Sequence, residues 1–201
     1  MGISREQAGT LVDQVQQSHR LLAGFYKRIL PTLDNIASKY GAGFWYWGPT
    51  SFDRPCGSST KPSSKWAWDF LPLVAATLVY VRNDEGNMRT SDLVVEFQLR
   101  NDPAVLRELR VQKGQPDPTS MPVIEPSLRL YLYRPIDDSD ADLKREWEQV
   151  SHPSGEAGVV TDLTNNIQAM WLETPLADFI HSPHELEAQI ASFAETVKIV
   201  A

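Results

Sequence analysis

Between Trp66 and Val81 the chain reads WAWDFLPLVAATLVYV, and almost every position in it is apolar. A strand with one wet face alternates apolar and polar residues. A run that is apolar on both faces therefore has to be covered on both sides. That places it at the centre of a sheet inside a layered domain. Pro72 cannot donate to a ladder and belongs at a strand start or bulge, so the strand is expected to begin after it, with Trp66, Trp68 and Phe70 leading in. The tract NDEGN at 83–87 supplies the turn that follows.

Further strands are read from alternation. Leu93, Val95, Phe97 and Leu99 face one way, while Asp92, Val94, Glu96, Gln98 and Arg100 face the other. Leu128, Leu130 and Leu132 alternate with Arg129, Tyr131 and Tyr133 over 127–133, and another strand runs from Ile167 to Glu173. The tract GFWYWG at 43–48 reads as a short strand with Trp45 and Trp47 on one side and Phe44 and Tyr46 on the other.

Ser4 and Gln7 form a capping box that opens an amphipathic helix near residue 5, with Leu11, Val15, Ser18, Leu22, Phe25 and Ile29 in one stripe. Pro31 is expected to end or kink it, leaving a second short helix with Leu33 and Ile36 that stops near Gly41. Asp102 and Pro103 open a short helix with Val105, Leu106 and Leu109 inward, and Ser139 and Asp142 frame another carrying Leu143, Trp147 and Val150. Ser182, Pro183 and Glu185 start the last helix, whose inward stripe is Leu186, Ile190, Phe193 and Val197. The expected fold is α+β: a mostly antiparallel sheet of four to six strands covered by the N- and C-terminal amphipathic helices. Residues 1–201 are read as a single domain with a long surface loop at 48–65.

Composition narrows the function classes. With 42% hydrophobic and 22% charged residues, the chain is neither disordered nor collagen-like. One cysteine excludes a disulfide scaffold and a Cys-rich zinc site, and fits a reducing, cytoplasmic setting. The net charge of -7 disfavours a generic nucleic-acid or anionic-membrane surface, and no apolar run is long enough to span a bilayer. No phosphate loop or dinucleotide fingerprint occurs, so no motif specifies a cofactor.

Catalytic candidates are sparse. Asp92 and Glu96 share a strand face about 13 Å apart, too far to bind one ion directly. Glu96-x-Gln98 only distantly echoes the Glu-x-Lys of metal-dependent nucleases, so no metal site is assigned. His152, in a Gly-containing loop, and His181 with His184, around a helix start, join Glu96 as candidates for a cluster assembled in three dimensions. Cys56 lacks any nucleophile signature and is read as a loop residue. Arg107 and Arg110, with Tyr131 and Tyr133, are candidates for a nucleic-acid groove.

The aromatic-rich span 44–70 carries the leading functional expectation. Trp45, Trp47, Phe52, Trp66 and Trp68 flank a breaker-rich loop that could close over a small molecule or protein partner. The expected function is a non-catalytic binding or interaction protein using that region. The alternatives are a small hydrolase or metal-dependent enzyme with an acidic and histidine cluster, and nucleic-acid binding through the Arg/Tyr surface.

Overall fold

A computed structural model describes residues 3–55, 57–83, 86–106 and 116–196. The chain divides into two units, residues 1–36 and 37–201. The first unit is most of helix α1 (Arg5–Lys39). The Ser4–Gln7 box opens it reciprocally: Ser4 N–H donates to Gln7 Oε1 at 2.8 Å and Gln7 N–H to Ser4 Oγ at 3.1 Å. Leu11, Val12, Val15 and Leu21 are exposed along it. The helix continues through Pro31 as one element, so of the expected end or kink at that position the end does not occur. Proline removes a single N–H donor, and four residues on either side of it with good helix geometry can carry the ladder past that gap.

Helix α1 ends, within the second unit, in a left-handed glycine cap. Gly41 has φ +71°, Ala42 N–H donates to Ala37 O at 3.1 Å and Gly41 N–H to Ser38 O at 3.0 Å. The chain then enters β1 (Gly43–Pro49), passes through 3-10 turns between Pro62 and Val74, and forms β2 (Ala75–Arg82). There follow β3 (Asn87–Met88), β4 (Leu93–Arg100), β5 (Ser127–Pro135), β6 (Ser139–Asp142), α2 (Leu143–Gln149), β7 (Thr161–Asp162), β8 (Ile167–Pro175), α3 (Leu176–His181) and α4 (Pro183–Thr196). The apolar run behaves as its composition demands: β2 starts after Pro72 and lies between β1 and β4.

Among the described residues the main sheet has the order β1-β2-β4-β5-β8-β7, with every pairing antiparallel, and β3 pairs with β6 in a small second sheet. The protein is thus α+β, with an antiparallel six-stranded sheet and helices at both ends of the chain. Ala76, Leu78, Tyr80, Val95, Phe97, Leu99, Leu128, Leu130 and Leu132 lie on one face, all of them buried. Helix α3 packs against β5 and β8, and α4 buries Leu186, Ile190 and Phe193. Val197, at the end of the expected stripe, lies outside the described residues, as do Leu109, Asp84 and Glu85.

The opposite face carries Thr77 and Val79, then Val94, Glu96, Gln98 and Arg100, then Arg129, Tyr131 and Tyr133, then Ala169, Trp171 and Glu173 in register. Half of it is roofed by a second apolar cluster in which Val79, Val94, Tyr131, Tyr133, Leu143 and Ile167 are buried and Trp45, Trp147 and Val150 pack around them. Strand β1 departs from simple alternation. Phe44 pairs with Tyr80 and Tyr46 with Val79, so a bulge at Trp45 puts Phe44 and Tyr46 on opposite faces. The extra residue lets Trp45 meet Trp147, ring centroids 5.4 Å apart, on the roofed side.

Candidate functional site

Among the described residues of the 37–201 unit, two places gather side chains capable of chemistry. The first is on the half-roofed face of the sheet. Glu96 is 2% exposed at the centre of β4, where a carboxylate is costly unless donors surround it. Three donors do. Tyr133 Oη–H donates to Glu96 Oε2 at 3.2 Å, while Gln98 Nε2 and His152 Nε2 reach Glu96 Oε1 at 3.0 and 2.9 Å. The two nitrogens are 3.2 Å from each other because both converge on one oxygen. Since His152 Nε2 must carry the proton it gives to Glu96, a neutral His152 keeps its lone pair on Nδ1. The ring is tilted over Tyr131, centroids 4.4 Å apart, and its side chain is half exposed. Tyr46, Thr77, Trp147 and Glu148 complete a cleft of about 300 Å³. Burial, and then the Glu96 charge, push the Tyr133 phenol up, so it remains a donor.

Along the same face, Glu173 accepts from Arg100 Nη1 at 2.8 Å, Ser127 Oγ at 2.6 Å, and Arg129 Nε and Nη2 at 3.1 and 2.6 Å. Arg129 also lies 4.9 Å over the Trp171 ring. Burial alone raises the Glu173 carboxyl. The Ser127 and Arg129 bonds, with the Arg129 and Arg100 charges, outweigh it and hold the group below the usual carboxylate range. This is an ion-pair network.

The second place is where β1 leaves the sheet. Residues 49–53, 64–66 and Asp69 line a pocket of about 580 Å³. Its aromatic wall is built by stacking: Phe52 lies parallel to Trp68 at 5.7 Å and meets Trp66 at 6.1 Å with an interplanar angle of 63°. Trp68 is fixed from behind, its indole N–H donating to Pro116 O at 2.9 Å, and with Phe52 it joins Ala75, Val105 and Leu106 in a small core. Trp66 is 41% exposed and so is the ring free to meet a ligand. Asp53 faces Lys65, with Nζ 4.0 Å from Oδ2. Asp69, on the 3-10 turn Ala67–Phe70, is 5% exposed, and no donor among the described residues reaches its carboxylate.

The pattern that defines the PM0109 family matches residues 5–197, nearly the whole chain. The chain belongs to the PM0109 family. No curated protein and no solved structure matches it. The fold and the two sites of this PM0109 protein therefore stand on their own geometry.

Of the aromatic residues singled out in the sequence, Phe52, Trp66 and Trp68 come together at the pocket. Trp45 belongs to the Trp147 cluster, with Lys144 Nζ 5.0 Å over its ring. Trp47 carries the Arg54 guanidinium 5.1 Å from its centroid, and Arg54 Nη2 donates to its carbonyl. Of the catalytic candidates, Glu96 and His152 meet. His181 and His184 are exposed at the end of α3 and the start of α4 and take no part in that cluster.

Asp92 and Glu96 are both buried. Asp92 is consumed by the β3–β4 turn, accepting from Arg89 N–H at 2.8 Å and Asn83 Nδ2 at 2.7 Å. No group of three metal-ligating side chains occurs among the described residues. Tyr131 and Tyr133 are 4% and 2% exposed, so their rings cannot stack on bases from outside. Arg107, Arg110 and Cys56 lie outside the described residues. Among the described residues no helix is long and apolar enough to cross a membrane.

Sequence reasoning missed Asp69, Lys65 and the Glu173 network. The available signal for Asp69 was its position as the single charge in WAWDFLPLV. For Glu173 it was the register with Arg129, which only strand pairing reveals.

Proposed function

We propose that this PM0109-family protein is a binding protein whose site is the pocket beside Trp66. The observation that carries this reading is the preformed aromatic wall, with Phe52 and Trp68 stacked and buried behind a half-exposed Trp66. Such a wall presents apolar area without the entropic cost of ordering flexible side chains on binding. Phe70 and Leu71, 44% and 43% exposed, extend the apolar surface next to it.

The roles within the wall differ. Trp66 makes contact and Trp68 supports, so Trp66→Ala should abolish binding with little change in stability, while Trp68→Ala should unfold the local core. The test is a small-molecule fragment screen by saturation-transfer NMR on wild-type protein and Trp66→Ala. Fragments that bind only the wild type support the reading. A screen with no hits, or hits indifferent to Trp66→Ala, refutes it.

A second reading, a hydrolase, is favoured by one observation: Glu96 orients His152 through Nε2 and leaves Nδ1 available as a base at the cleft. Turnover of chromogenic ester or phosphate substrates that disappears in His152→Gln would support it. Equal rates in wild type and His152→Gln would dismiss it.

A further inference from the structure

We infer that the Trp66 pocket takes a cationic group, an ammonium or guanidinium, with Asp69 as its counterion; this rests on the binding reading above. Asp69 is 5% exposed, lines the pocket and has no hydrogen-bond donor among the described residues. Buried carboxylates elsewhere in the protein are surrounded: Glu96 has three donors, and Asp92 has Arg89 N–H and Asn83 Nδ2. Asn101 Oδ1 is the one fully enclosed side-chain oxygen without a partner among the described residues, so the Asp69 oxygens reach the open pocket, where a ligand can supply the donor and the charge they lack.

The surroundings select the sign of that ligand. Within the pocket the carboxylates of Asp53 and Asp69 face the single ammonium of Lys65, which is directed to Asp53. The local balance is therefore negative, and Asp69 is the acid left over. Phe52 and Trp66 meet at 63°, forming a corner of two aromatic rings beside it. Ring faces carry the negative part of the quadrupole and attract cations, most strongly when water is excluded. An anion would meet Asp53 and Asp69 in the same space. A net charge of -7 also raises the concentration of cations near the surface.

The test uses probes with a common alkyl chain and different heads: butylammonium, butylguanidinium, 1-butanol and butyrate, titrated against wild-type protein by tryptophan fluorescence and indole N–H NMR. The expected result is saturable binding of the two cations, shift of the Trp66 indole resonance, and no saturation with butyrate. Asp69→Asn should weaken cation binding about tenfold, and Asp53→Asn, with its solvated acid, less than about threefold. Because the amide removes an unpartnered charge without changing shape, the melting temperature of ligand-free Asp69→Asn should equal or exceed that of wild type.

Butanol or butyrate binding as tightly as butylammonium, or cation affinity indifferent to Asp69→Asn, overturns the charge assignment while leaving the pocket reading intact. Failure of all four probes to perturb Trp66 counts against both. A large loss of stability in Asp69→Asn would show that the carboxylate is structural and also overturns the inference.

Discussion

Replacing Glu173 by glutamine tests the electrostatic reading of the sheet's polar face. The carboxylate accepts four hydrogen bonds, from Arg100, Ser127 and twice from Arg129. Arg100 is the partner that matters most, since its side chain is 8% exposed against 26% for Arg129. Arg100 keeps a further interaction when Glu173 is neutralised, so the loss stays below that of a fully stranded buried guanidinium, about 3–5 kcal/mol, and above that of a solvated pair, about 0–1. Glutamine keeps the shape and one acceptor oxygen, and Glu173 has a wet edge, so the expected loss at pH 7 is about 2 kcal/mol. This should appear as a lower urea midpoint with an unchanged slope, followed by tryptophan fluorescence.

The pH dependence separates charge from shape. The native Glu173 carboxyl titrates below its unfolded value of about 4.3, so its stabilisation is complete above that pH and is lost as pH falls through the lower native value. The gap between wild type and Glu173→Gln should therefore be constant from pH 7 to about 5 and close as acid protonates the native carboxyl. A gap below about 0.5 kcal/mol at pH 7, or one that does not change with acid, would refute the argument.

Three further outcomes follow from local geometry. Tyr133→Phe should cost about 1.5–2 kcal/mol by removing a donor to the buried Glu96 carboxylate, read from urea melts at pH 8. Since the native phenol is pushed up while the unfolded one titrates near about 10, wild-type stability should fall as pH rises above about 10, and Tyr133→Phe should lose less over that interval. Gly41→Ala should destabilise by about 1–2 kcal/mol, because φ is +71° and the new Cβ would sit 3.0 Å from Arg82 Cδ; differential scanning calorimetry gives the shift. Phe97→Ala, at 0% exposure beside Tyr80, should cost about 3–5 kcal/mol in the same melts.

Much of the scaffold was legible because it follows local rules. The Ser4–Gln7 box, the glycine stop at 41, the strand start after Pro72 and the alternation over 93–100 and 127–133 are each set by a few neighbouring residues, and each is found. Where the chain departs from the reading, the reasons differ. Helix α1 does not end at Pro31, whose loss of one N–H donor the neighbouring turns tolerate, whereas a bulge at Trp45 rotates one half of β1 against the other to seat an indole on Trp147. Trp147 is not visible from the sequence neighbours of Trp45.

The sites show the same division more sharply. Aromatic density between 44 and 70 was a local signal, and three of the five rings it nominated do form one wall. Glu96 and His152 were nominated for one cluster together with His181 and His184, but they lie 56 positions apart and nothing in the sequence singles out this pair from the four. What joins them is the loop after α2: Trp171 Nε1–H holds Gly155 O at 2.9 Å and Gly158 N–H holds Trp171 O at 2.9 Å, laying that segment across the sheet. An acidic residue in an alternating strand looks solvated until its roof is known, and here the roof comes from residues 143–171. The same logic applies to Asp69, with the opposite outcome. Among the described residues Glu96 has three donors and Asp69, which lines the pocket, has none, and that difference is why Asp69 is the acid proposed to meet a cation from outside.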